Sequence, residues 1–279
     1  MKINKININF PHAIKPFTVY SDNVDFIQLL KMYYGSLVDE FNYTGTVVLG
    51  YINETFFVKD GYVNKNAIKQ NPNTALCNAI MYIRNHVELE NDWFLYHGAC
   101  SVINGKTYLF IGHSGSGKTT LTTFLHYQPK VVTVSEDICI VNYKDFKIES
   151  VQRPFLLRPK SYDLLATHYK LDINKSLLCN YNVNEKVVAN INAITPNITY
   201  AIDEIVFLNL CNKKFEKIFC NNINNLLENS YNHIDIYKGI CSATMLFKKI
   251  PAYSMYYYDL LEMYERIVSE DNRYAENLC

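Results

Sequence analysis

Eight consecutive residues, Gly112-His113-Ser114-Gly115-Ser116-Gly117-Lys118-Thr119, carry the densest chemical signal in the chain. They satisfy G-x-x-x-x-G-K-[ST], a pattern whose fixed positions each answer a demand of a bound triphosphate. Glycines let successive backbone N–H groups turn toward phosphate oxygens with no Cβ in the way. Lys118 supplies a point charge to the β- and γ-phosphates, Thr119 a hydroxyl to Mg²⁺, and Thr120 follows on the same turn. The run predicts binding of a nucleoside triphosphate with Mg²⁺.

Carboxylates come next. Residues 130–137 read as a strand that ends in Glu136-Asp137, 18 and 19 residues after Lys118. A strand end beside a phosphate-binding loop can supply a metal ligand and a general base for an attacking hydroxyl. An upstream histidine, His97, stands in a stretch that a hairpin couples to the loop, although a lone strand histidine is more often a core residue. Arg153 and Arg158 flank a Pro-containing, non-helical segment. Arg suits planar contact with phosphate, and of the two Arg158 is the stronger candidate.

These residues need elements to hold them. Lys106–Ile111 is rich in β-branched and aromatic residues and reads as a strand entering the loop. Leu121, Phe124 and Leu125 follow at helical spacing, so a helix dipole should stand behind the phosphates. Asn104-Gly105 is a strong two-residue hairpin signal, joining that strand to one expected over 93–103. A hairpin is expected around Lys144-Asp145, a helix near 160–169, strands at 204–210 and 252–257, and helices near 222–230, 240–249 and 258–269. The first 90 residues read as a small α+β unit. It has a strand at 3–10, a helix near 23–34 stopped by Gly35, and strands at 46–52 and 55–59 joined by Asn53-Glu54. A turn at Asp60-Gly61, a polar stretch over 64–73 and a helix capped by Thr74 complete it. The polar stretch is the best boundary candidate, giving domains 1–90 and 91–279.

Composition narrows the class. In 279 residues, 49% hydrophobic and 19% charged, Lys+Arg and Asp+Glu balance at 27 each. No basic tract is present to neutralise a phosphate backbone, which argues against nucleic acid as a partner. No apolar run approaches the length of a membrane span. Eight scattered cysteines form no C-x-x-C pair, so the expected home is a reducing cytoplasm. There is no L-S-G-G-Q-like run, no N-K-x-D and no Arg-rich lid.

Taken together, His97-Gly98, the loop from Gly112 to Thr119, and Ser135-Glu136-Asp137 resemble the HPr kinase/phosphorylase-type catalytic domain. The segment Arg153-Pro154-Phe155-Leu156-Leu157-Arg158-Pro159 is similar to one in the diverged HPr-kinase-like proteins found beside peptide-modification genes, some of which resemble lasso-peptide tailoring kinases. The resemblance covers roughly 92–260. It implies an α/β (α+β) fold related to phosphoenolpyruvate carboxykinase, with a small N-terminal α+β subdomain. It also implies roles: Lys118 on the β/γ-phosphates, Thr119 and Glu136 on Mg²⁺, Asp137 as base and His97 near the γ-phosphate. Departures are Glu136 where the family usually has Asp, His113 at the second loop position, and no glycine-rich segment after the acidic pair. Those departures point away from HPr itself as acceptor and from the reverse phosphorylase reaction.

The expected activity is therefore transfer of the ATP γ-phosphate to a Ser or Thr hydroxyl of a peptide or small protein, such as a peptide natural-product precursor. The alternatives are a small-metabolite kinase (free serine or a sugar) and a nucleotide-binding regulator without catalysis. The family's bacterial kinases form hexamers, so a homo-oligomer is possible.

Overall fold

The structure, a computed structural model, describes residues 2–39, 47–60, 63–90, 92–151, 153–173, 175–181, 184–189, 198–211, 215–220, 222–230 and 236–276. It is a mixed α/β arrangement with two six-stranded sheets, one of four strands and one of three among the described residues.

The first six-stranded sheet has the spatial order 38–39, 4–8, 17–21, 47–52, 55–60, 63–69. It is antiparallel except where Phe17–Ser21 runs parallel to Val47–Ile52. Helices Val24–Tyr34 and Pro72–His86 pack together over the same apolar core as its strands. Their buried residues, Phe26, Ile27, Leu30, Tyr33 and Tyr34 on one and Ala75, Leu76, Ala79, Ile80 and Ile83 on the other, recur at helical spacing. Asn23 caps the first helix through its side chain, and Gly35 ends it at φ 55°. Asn71, not Thr74, caps the second, with Pro72 at the first helical position where its missing N–H costs nothing. The expected polar stretch is in fact the edge strand Val63–Lys69, paired with Thr55–Asp60. An edge strand needs no continuous apolar face, so its polar sequence concealed it. The turn at Asp60-Gly61 falls partly outside the described residues, as do 174, 182–183 and 190–197, around the paired strands Lys175–Tyr181 and Asn184–Ala189.

The second six-stranded sheet has the order 131–136, 98–103, 106–111, 204–210, 252–257, 216–219. Its three central strands, Lys106–Ile111, Glu204–Leu210 and Ala252–Tyr257, are parallel and covered on both faces. Successive side chains therefore enter different cores. Tyr108, Phe110, Val206 and Leu208 pack under helices Lys118–His126 and Leu260–Glu276. Leu109, Ile111, Ile205 and Phe207 pack with helix Ile236–Lys249 and the four-stranded sheet. Asn104 and Gly105 take φ 51° and 88°, the doubly left-handed turn that the pair predicts.

The stretch 93–103 is not one strand. Trp93–Tyr96 belongs to the four-stranded sheet and Gly98–Ile103 to the six-stranded one. The chain crosses between the sheets a second time between Val131–Glu136 and Cys139–Asn142. The two crossings lie side by side: Cys139 pairs with Tyr96 in one sheet and Glu136 with Ala99 in the other. His97 and Asp137 occupy the shared corner. Among the described residues no helix is long and apolar enough to cross a membrane.

Candidate active site

Register gathers the site at one edge of the second large sheet. Ile111 pairs with Gly98 and Glu136 with Ala99, so the loop after Ile111, the His97 corner and the acidic pair emerge together. The neighbouring parallel strands end there too, at Leu210 and Tyr257. Their ends and the loop line one cavity of about 840 Å³. A crevice outside the carboxyl ends of parallel strands is where open α/β sheets hold ligands.

Residues 112–117 form the turn between strand Lys106–Ile111 and helix Lys118–His126. Gly117 is the helix N-cap at φ 90°. A Cβ there would stand 2.3 Å from the Tyr257 hydroxyl, so both backbone angle and space require glycine. That hydroxyl donates to the Ser116 carbonyl at 2.8 Å, fastening the turn to the strand beyond it. At Gly112, a Cβ would meet Ser116 Oγ at 2.5 Å and the Leu208 carbonyl oxygen at 3.1 Å. Ser116 Oγ is buried with no hydrogen-bond partner among the described atoms. Capping Gly117 has no side chain to occupy the helix's first N–H groups, so they remain available to an anion.

Lys118 is 7% exposed. Its ammonium donates to the carbonyl oxygens of Gly112 and, at 3.3 Å, His113. Burial pushes its pKa down, while Asp137 and Glu136 work against that shift. Thr119 donates its hydroxyl to Glu136 Oε1 at 2.6 Å. Thr120 donates to Ser161 Oγ at 3.0 Å.

The adjacent carboxylates have opposite electrostatics. Burial, reinforced by the negative charge of Asp137, raises the Glu136 pKa to about 7, against the pull of Arg153, the Thr119 hydrogen bond and Arg84. Burial also acts to raise Asp137, but Arg84, the His97 hydrogen bond and Arg153 outweigh it and hold the group well below the usual carboxylate range. Asp137 sits at φ 66°, the centre of a three-residue turn closed by Ile138 N–H to the Glu136 carbonyl at 2.8 Å. Its Oδ2 accepts from the Tyr33 hydroxyl at 3.0 Å, from Arg153 Nη1 at 3.1 Å and from Arg84 Nη2. Its Oδ1 lies 3.1 Å from His97 Nε2.

The corner thus brings together Lys118, Thr119, Glu136, Asp137 and His97 in one cavity with Ser114, Gly115, Gly117 and Thr120. Arg158 lines the same cavity, exposed at the cap of helix Pro159–Asp163. His113 points elsewhere: it is exposed, 3.7 Å from Glu228, and does not line the cavity. Arg153, the weaker arginine candidate on sequence, is wholly buried and carries a direct bond to Asp137. Tyr33 and Arg84 lie in helices of the first 90 residues, and sequence reasoning missed both. An arginine on an amphipathic helix is ordinarily solvated, and nothing in the local pattern of either residue marks it. Tyr257 was missed as the loop's fastener for the same reason.

Thr119 and Glu136 offer hard oxygen ligands, and no group of three or more acidic, His or Cys side chains suited to a metal occurs among the described residues. Mg²⁺ is commonly held by one or two carboxylates plus substrate phosphates, so the pair fits that ion as a companion of nucleotide. Lys118, Arg84, Arg158 and Lys160 line the cavity against Glu136, Asp137 and Asp259, and burial shifts Glu136 toward its neutral form. The balance leaves the cavity positive, which suits an anionic ligand.

No protein-family model matches the chain, and no curated protein matches it significantly. Among solved structures, the Hpr(Ser) kinase/phosphatase from Coxiella burnetii aligns over 66% of this chain and 97% of its own, with 10% sequence identity and a TM-score of 0.31.

Proposed function

We propose that this protein is an ATP- and Mg²⁺-dependent kinase that transfers the γ-phosphate to a hydroxyl of a peptide or small protein. The observation that carries the reading is the single cavity in which Lys118 and the Thr119–Glu136 pair, 2.6 Å apart, face Asp137 across the loop. In this reading 112–120 is a phosphate-binding loop. Its N–H groups and Lys118 hold the phosphates, and Arg158 meets them at the rim. Thr119 and Glu136 would hold Mg²⁺, which would supply neutralisation of phosphate charge. Loss of a proton suits Glu136 to that task, and an adjacent cation draws its pKa down.

Asp137 orients the acceptor hydroxyl and takes its proton. The acceptor oxygen bonds to the γ-phosphorus as the bond from phosphorus to the β–γ bridging oxygen breaks, and ADP leaves with that electron pair. Phosphoryl transfer passes through a loose transition state, so positioning and charge matter more than a strong base. A carboxylate kept ionised by guanidinium groups fits that role, with His97 fixing its second oxygen. The exposed side chains of Arg158, Lys160, Leu164, Thr167 and His168 along one rim favour an extended acceptor over an enclosed metabolite.

The test is transfer from γ-labelled ATP with Mg²⁺ into separate peptide, protein and metabolite fractions of the source cell, with Lys118→Ala as control. Lys118-dependent label in the peptide or protein fraction is expected. Label in the metabolite fraction alone moves the acceptor to a small molecule. No label in any fraction, with ATP still bound, removes the kinase reading in favour of a nucleotide-binding regulator.

A further inference from the structure

Asp137 Oδ2 accepts from three donors at once: the Tyr33 hydroxyl, Arg153 Nη1 and Arg84 Nη2. A carboxylate oxygen offers two lone pairs. The third donor on Oδ2 therefore adds less than the first two and costs less to remove. Arg153 is not the one that can leave. Its Nε donates to the Tyr33 carbonyl at 2.9 Å, its Nη1 reaches the Glu136 carbonyl at 3.2 Å, and its side chain is 0% exposed. Its guanidinium also lies 4.4 Å from the centre of the Tyr33 ring. Arg84 is placed differently. It comes from the last turn of helix Pro72–His86, is 17% exposed, lies 5.6 Å from the same ring, and lines the cavity with Lys118 and Gly115.

We propose that Arg84 is a catalytic residue that exchanges Asp137 for the γ-phosphate when nucleotide binds, placing a cation on the transferring group and returning Asp137 Oδ2 to the two donors its lone pairs can serve. The inference rests on the kinase reading above. It gives the first 90 residues a direct part in the reaction, since the arginine comes from their second helix. Guanidinium suits the exchange because its fork can leave one oxyanion for another with little loss of geometry.

A γ-phosphate contact is read by comparing Mg-ATP with Mg-ADP binding, measured calorimetrically on the full chain, Arg84→Gln, Arg84→Lys and Lys118→Ala. The parent is expected to prefer ATP. Arg84→Gln should lose roughly tenfold to a hundredfold in ATP affinity, as for a charge-assisted hydrogen bond, with ADP affinity unchanged. Arg84→Lys should retain part of the preference. Unchanged ADP binding also reports that the variant folds; if Arg84→Gln does not fold, the ATP-to-ADP ratio of Arg84→Lys decides. Equal losses for both nucleotides, or an unchanged ratio, overturn the exchange while leaving the kinase reading intact. Failure of the parent to bind either nucleotide overturns both.

Discussion

The two walls of the cavity are built by opposite means. One wall is the turn 112–117 with Lys118 and Thr119. It is made of consecutive residues, depends on backbone N–H groups and on glycines at φ 92° and 90°, and is fastened by one tyrosine hydroxyl. The other wall is Asp137 and its partners. It is made of side chains from Tyr33, Arg84, His97 and Arg153, brought from distant parts of the chain onto a single carboxylate. The first wall stores its function in backbone shape, the second in charge balance. Backbone shape tolerates side-chain change outside the fixed positions. A buried charge cluster is less tolerant, because loss of a fully buried member's partner leaves a charge uncompensated.

Substitutions separate the two kinds of construction. The largest effect belongs to Asp137→Asn. It leaves the buried guanidinium of Arg153 without its carboxylate, and should cost about 3–5 kcal/mol in urea unfolding as well as abolishing transfer. A loss under 1 kcal/mol would mean that the cluster is solvated and that the two walls are alike.

Glu136 gives a pH-dependent contrast of about 3 kcal/mol at most, from a pKa raised from 4.5 to about 7 at 1.36 kcal/mol per unit. Because the folded pKa is raised, this stabilisation is complete below about 4.5 and is lost as pH rises through about 7. Metal-free Glu136→Gln should therefore melt above its parent at pH 8, with the gap closing toward pH 4.5. A gap that widens toward acid would reverse the assigned direction.

Gly117→Ala tests the backbone wall. A Cβ at φ 90° and 2.3 Å from the Tyr257 hydroxyl should cost about 1–3 kcal/mol and weaken ATP and ADP alike. Tyr257→Phe in the same chain should relieve part of the loss; if relief is absent, strain in the angle alone accounts for it. The smallest effect is expected at His113→Ala. Its exposed pairing with Glu228 should contribute less than about 0.5 kcal/mol, and nucleotide affinity should not change, because the side chain is outside the cavity. A tenfold affinity loss would return His113 to the binding wall.

The backbone wall was legible in sequence because it is local. Strand Lys106–Ile111, the Asn104-Gly105 turn, the glycine run and the helix behind it are each set by neighbours within a few residues. Strand Glu204–Leu210 was legible because burial on both faces makes Ile205 to Leu208 a continuous apolar run, and Ala252–Tyr257 because it is rich in tyrosine, a strand former. The charge wall was half legible. Glu136-Asp137 stood out at a strand end, but the change of sheet at His97 left no mark on an apolar run that continues on both sides of it. Arg84 and Tyr33 could not be found at all. Their importance comes from where the first sheet's helices meet the corner, a tertiary fact with no local signature.

The route of the chain has a consequence for synthesis. The cavity draws on residues from Tyr33 to Leu260. As the polypeptide leaves the ribosome, the first sheet can close early from neighbouring strands, whereas the glycine turn waits for Tyr257 to arrive from the far end of the chain. A nascent chain therefore carries two guanidinium groups and a carboxylate toward burial before its cavity is finished. Under the proposed function, nucleotide would act on the last stage of assembly, as a ligand that selects the completed corner, and would not rescue a chain arrested before the strand Ala252–Tyr257 has docked.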